Sequence, residues 1–218
     1  MEEKLSTLEE ISKKFETIGQ ELFEACKGHL FPADAILLAS CNRALQVLHG
    51  FTLIVNNGGY SCGVALLRLQ LDSVLRLYGI TITKDPHETA NKIISGEKLS
   101  KIKDKSGERL SDGYLVSLLA KQNPWLKHVY SLCSGYIHLS DASFHHLLKK
   151  SEPVPESTER GFYIGSDESE IEIKQKIELI QAFIVATKGI QEITIQWTAR
   201  RDQFGLAKNL KKKYTQIA

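Results

Sequence analysis

Residues 58–80, GGYSCGVALLRLQLDSVLRLYGI, decide the fold class, because the stretch is apolar on nearly every side once wound as a helix. As a helix over 64–78 it sets Val64, Leu67, Leu71, Val74, Leu75 and Tyr78 on one broad face, with Leu66, Leu69 and Leu77 widening it. A peripheral helix keeps a polar half, so this one is expected at the centre of its bundle. One row breaks the pattern. Arg68, Asp72 and Arg76 recur every four residues along one edge, and Asp72 can pair with either arginine. Two readings of that row are open. It is either a solvated strip worth roughly a few tenths of a kcal/mol per pair, or a charged row facing an interior cleft. Arginine suits the cleft because its planar fork stays charged and binds carboxylate or phosphate bidentately.

On the N-terminal side, Leu5, Leu8, Ile11, Phe15, Ile18, Leu22, Phe23 and Cys26 fall at helical steps, predicting a helix over 3–27 that stops at Gly28. A second helix over 33–56 turns Leu37, Leu38, Cys41, Ala44, Leu45, Leu48, Phe51 and Val55 inward. Asn57-Gly58-Gly59 then breaks the chain, and so short a connection favours antiparallel neighbours.

On the C-terminal side, residues 96–110 are charged and glycine-punctuated, which predicts an exposed excursion. Ser111-Asp112 caps a helix through 120. Asn123-Pro124 supplies an N-cap and a first helical position for WLKHVYSLCSGYIHL, with Leu126, Val129, Tyr130, Cys133, Tyr136 and Ile137 inward. Pro153 and Pro155 make 149–167 a loop with one short extended piece at 161–165. Ser166-Asp167 then caps a long helix over 168–200, lined by Ile173, Ile177, Ile180, Phe183, Ile184, Ile190, Ile193 and Trp197. The expectation is an all-α, single-domain bundle of about five or six principal helices. Residues 1–148 form its core, 149–167 its loop, and 168–218 a long helix with a basic tail on the same bundle.

Composition narrows the function classes. Lys and Arg number 28 against 26 acidic residues, so the net charge of +2 gives no whole-chain argument for nucleic acid or membrane. The four cysteines lie far apart without a CxxC pair and read as reduced core thiols of a cytosolic protein. The N-terminal MEEKLSTLEE is acidic, unlike a secretory signal, and no apolar run approaches the roughly 20 residues that cross a bilayer. No membrane partner is expected.

The most suggestive polar stretch is 131–146, SLCSGYIHLSDASFHH, where Ser131, Ser134 and His138 share one helix edge. His138 there is either a general acid/base or a side chain that satisfies the last free carbonyls of its helix. A metal set of His138, Asp141, His145 and His146 matches no established ligand spacing, so no metal is expected. The chain has no GxSxG elbow and no GxGxxG or GxxxxGK[ST] phosphate loop, so neither a serine hydrolase nor a cofactor is expected. The C-terminal Arg200, Arg201, Lys208, Lys211, Lys212 and Lys213 read either as contacts to nucleic-acid phosphates or as a soluble tail that complements the helix dipole.

The segments LLRLQLDSVLRLYGI and PWLKHVYSLCSGYIHLS together resemble an uncharacterised family of bacterial all-helical proteins. More loosely, a bundle with a histidine closing one helix is similar to the HEPN superfamily, which includes dimeric RNA-cutting toxins and phage-defence effectors. That family places an arginine five to seven residues before the histidine, where this chain has Cys133, Leu132 and Ser131. The resemblance implies a metal-independent ribonuclease or a ligand- or RNA-binding protein of a defence or toxin system, able to pair as a homodimer. His138 would then be the acid/base and Arg68 the phosphate holder, with Asp72, Arg76, Ser134 and Tyr136 around the ligand. The other expectation is a non-catalytic interaction or scaffold module, in which these residues form a buried polar network that fixes helix register.

Overall fold

Leu8, Ile11, Phe15, Ile18 and Leu22 bury one stripe of helix α1 (Glu2–Ala25), and the chain turns through Lys27 and Gly28 at positive φ. The structure is a computed structural model describing residues 2–138, 144, 148, 151–162, 164–166 and 168–201. Helix α2 (Pro32–Asn56) opens with proline in its first turn, where the missing N–H costs nothing. It ends at Asn57-Gly58, and Gly58 takes φ +80°, a conformation that residues with a Cβ adopt only under strain.

Helix α3 (Tyr60–Thr81) is the predicted centre. It packs against α2 (Pro32–Asn56) and against two later helices, α6 (Trp125–Ile137) and α7 (Ile173–Arg200). Close approach depends on Gly63, where a Cβ would stand 3.1 Å from a Leu179 methyl and 3.3 Å from a Val55 methyl. Phe51 of α2 and Phe183 of α7 stack behind it with ring centroids 3.7 Å apart. Each such fully buried ring contributes about 1.5–3 kcal/mol relative to exposure.

Two short helices complete the set, α4 (Pro86–Ile94) and α5 (Asp112–Leu119), so the described residues hold seven α-helices, five of them long, in keeping with the five or six principal helices expected. The Asp85 carboxylate caps α4 by accepting the Glu88 N–H, and the Ser111 hydroxyl caps α5 by accepting that of Tyr114. A two-stranded antiparallel hairpin, β1 (Glu152–Pro153) with β2 (Arg160–Gly161), lies between α6 and α7. The other described residues are helix, turn or loop, with one isolated bridge between Lys103 and Arg109, and the class is all-α.

Several expectations change. The 96–110 excursion is anchored, because Leu99, Ile102 and Leu110 bury themselves against Leu75, Ile80, Leu115 and Val116 in a second apolar cluster. Helix α7 begins at Ile173, not 168, and Ile173 is 72% exposed while Ile171 takes the buried place. The reason is upstream: Glu168 accepts from the Ser61 N–H and hydroxyl, so the chain first crosses the start of α3. Asn123 donates its side-chain amide to the Leu119 carbonyl, so it closes α5 instead of opening α6. Of the four free thiols, Cys26, Cys41 and Cys133 are buried but Cys62 is exposed.

Candidate functional site

Arg68 rises from the middle of α3 and is 9% exposed. A buried guanidinium is tolerated when its donors are matched; here Nε and Nη2 are hydrogen-bonded, while Nη1 is held by the charge of Asp72 without a hydrogen bond. Nε donates to the Ser134 hydroxyl at 3.2 Å, Nη1 faces Asp72 as an ion pair, and Nη2 donates to the Tyr130 hydroxyl. The guanidinium carbon also lies 3.8 Å from the Tyr130 ring centroid, a cation–π contact. Asp112, at the first position of α5, stands 3.9 Å from Nη2 and accepts from the Tyr130 hydroxyl at 3.2 Å. Ser134 in turn donates to the Tyr130 carbonyl at 2.8 Å. The network therefore ties α3, α5 and α6 at one level. Burial, ahead of nearby charges, pushes the Tyr130 phenol up, so it stays protonated and able to donate.

The remaining expected residues are divided among other places. Tyr136 meets Tyr60 edge to face at 6.2 Å, close to the start of α3. Tyr60 precedes Arg68 by eight residues, about 12 Å of helix. His138 lies beyond Tyr136, exposed at the C-cap of α6, where its backbone N–H and not its ring satisfies the Ser134 carbonyl at 3.1 Å. Arg76 lies about 12 Å from Arg68 in the other direction along α3, exposed and lining a cavity with Lys98, Ser100 and Asp112. The fold thus gathers Arg68, Asp72 and Ser134, while Arg76, Tyr136 and His138 stand apart from them.

The basic C-terminal set also divides. Arg200 is exposed. Arg201 is a correction: it is 6% exposed and turned inward, where it grips Asp34. Lys208, Lys211, Lys212 and Lys213 lie outside the described residues, as do Asp141, His145 and His146. Among the described residues no group of three or more His, Cys, Asp or Glu side chains is placed to hold a metal ion.

Two sets of residues escaped the sequence reading. One is Tyr130 and Asp112, which complete the Arg68 network; tyrosine spaced among apolar positions reads simply as core. The other is a polar knot at the far end of the bundle. Asp34, fully buried, accepts from the Phe31 N–H at 3.1 Å, Trp197 Nε1 at 2.8 Å and Arg201 Nη2 at 2.9 Å. Arg201 also donates to the carbonyls of His29 at 2.7 Å and Ala25 at 3.4 Å. His87, equally buried, accepts the Ala33 N–H at Nδ1 and sets its ring edge-to-face against Phe31 and Trp197. An aspartate in the first turn of α2 is a visible helix-start signal, but nothing local announces its partners.

No family model matches the chain, and no curated protein or solved structure matches it.

Proposed function

We propose that the chain is a non-catalytic helical interaction module of the cytoplasm, in which the Arg68 network fixes the register of α3, α5 and α6 and processes no substrate. The observation that carries this reading is the occupancy of Arg68. Its donors already face Ser134, Asp72, Tyr130 and Asp112, and two carboxylates against one guanidinium leave the spot net negative. A group that stabilises a phosphate in a reaction needs donors aimed at the place where charge develops. Here Nε and Nη2 are spent within the fold and Nη1 faces Asp72, so an incoming phosphate would meet Asp72 and Asp112. The four free thiols fit a reducing compartment.

The competing reading, RNA cutting within a defence or toxin system, rests on the exposed His138 with Ser134 one turn before it. Arg68, the arginine it would recruit, is turned to Tyr130. The two readings part in one assay. Purified full chain and His138→Ala are incubated with end-labelled single-stranded RNA, and turnover by neither is expected. Cleavage by the wild type that His138→Ala abolishes would overturn the proposal in favour of the ribonuclease.

A further inference from the structure

The joint between α2 and α3 carries reactive chemistry that the Arg68 network leaves unused. The chain has six asparagines, and only Asn57 is followed by glycine. That pairing matters because a backbone nitrogen can attack the side-chain carbonyl carbon of a preceding asparagine, and a residue without a Cβ lets the two atoms approach. The other five precede Arg43, Asn57, Lys92, Pro124 and Leu210, whose side chains or ring hinder that approach. Asn57 and Gly58 are both exposed, and Gly58 takes φ +80° with open space where a Cβ would stand. The turn also holds each reacting group. The Asn57 side-chain amide donates to the Leu53 carbonyl at 2.7 Å, closing the last turn of α2, and the Gly58 N–H donates to the Val55 carbonyl at 3.1 Å. Both bonds lie at a helix end, where the last turn frays and local opening takes little free energy.

We propose that Asn57-Gly58 is a site of self-modification, in which fraying of the last turn of α2 frees both groups and the joint converts to aspartate or isoaspartate. The Gly58 nitrogen forms a bond to Asn57 Cγ, the Cγ–Nδ2 bond breaks, and the amide leaves as ammonia with the proton that the Gly58 nitrogen gives up. Water then opens the five-membered imide on either side. Opening at Cγ restores the main chain with an aspartate, whereas opening at the Asn57 carbonyl carbon routes the main chain through the side chain as isoaspartate. Either product unsettles the joint. A carboxylate has no donor for the Leu53 carbonyl, and it sets negative charge at the negative pole of α2. Isoaspartate also lengthens the main chain by a methylene, beside Gly59, which lies so close to Ile54 that a Cβ would stand 2.9 Å from its methyl. The strain falls on the start of α3, where Tyr60 is buried and the Ser61 N–H is held by Glu168 at 3.1 Å.

The test is incubation of the full chain in mildly alkaline buffer, followed by intact mass, peptide mapping and hydrogen exchange. A mass gain of a single dalton is expected, mapped to Asn57 and divided between aspartate and isoaspartate, and Asn57→Gln should lack it. In urea the reaction should run at least about tenfold faster, because the two hydrogen bonds no longer restrain the reacting groups. Asn57→Asp, which supplies one product outright, should speed exchange of the amides of residues 57–59 by about twofold or more while leaving those of α5 unchanged. The proposal is overturned by no mass gain in the folded protein, even where the urea-unfolded chain reacts, by a gain that maps to another asparagine or persists in Asn57→Gln, by equal rates in buffer and in urea, or by exchange in Asn57→Asp that matches wild type.

Discussion

Arg201 and Asp34 are 167 positions apart in the chain, and their charged groups meet at 2.9 Å with both side chains withdrawn from solvent. The pair clamps the end of α7 to the start of α2, and through the His29 and Ala25 carbonyls to the end of α1. Breaking a buried pair strands a charge, so Arg201→Met is expected to cost about 3–5 kcal/mol in urea unfolding. Asp34→Asn/Arg201→Met should cost less than the sum of its single changes, because the amide carries no charge and still accepts from Trp197 Nε1. Strict additivity would mean that the two groups do not sense each other in solution.

The Arg68–Tyr130 contact makes a similar prediction on α3 and α6. Arg68→Met, Tyr130→Leu and the double variant should yield a coupling energy of about 1 kcal/mol, the scale of a partly desolvated cation–π contact. A coupling indistinguishable from zero would remove the register-fixing role assigned to this network.

Alkaline pH should loosen the bundle. Burial pushes the Cys133 thiol up to about 12 and the Cys26 thiol up to about 11. A group whose folded value is raised stabilises fully below its unfolded value, and that contribution is lost as pH rises toward the folded value. The guanidinium unfolding midpoint should therefore hold up to about pH 8.5, the free-thiol range, and decline above it. Cys133→Ala should show a shallower decline, and parallel curves would count against the assignment.

The 103–109 loop should respond to acid instead. The Tyr114 hydroxyl, followed by Ser106, holds the Asp104 carboxyl well below the usual carboxylate range. A lowered folded value gives stability that is present above the unfolded value of about 4 and lost as pH falls below it. Asp104→Ala at neutral pH should speed hydrogen exchange of the Ser106 and Glu108 amides by about tenfold or more. Unchanged exchange would place the loop's order elsewhere, in Leu99, Ile102 and Leu110.

Much of the fold was legible because it is written in local periodicity. The apolar faces of α1, α2, α3 and α6, apart from Phe23 and Ile137, which were expected inward and are exposed, together with the cap at Ser111 and the break at Asn57-Gly58, follow from neighbours within four residues. The start of α7 was misread for the opposite reason. Ser166-Asp167 carries a local cap signal, but Glu168 is held by Ser61 more than a hundred residues earlier, and the helix forms only after that contact. The excursion at 96–110 looked exposed because its three apolar residues are spread among charges, and only packing against α3 and α5 reveals them as an anchor.

For the candidate site the division is sharper. The sequence by itself determined an all-helical chain with α3 at its centre and a charged row of Arg68, Asp72 and Arg76, since helix formation and amphipathic burial depend on residues a turn apart. It could not determine which charges would face one another. Only the tertiary structure decided that Arg68 lies over Tyr130, that Arg201 leaves the basic tail to neutralise Asp34, and that His138 ends at the surface. Those outcomes depend on where helices distant in sequence cross, and a buried charge takes whichever partner the packing brings within reach.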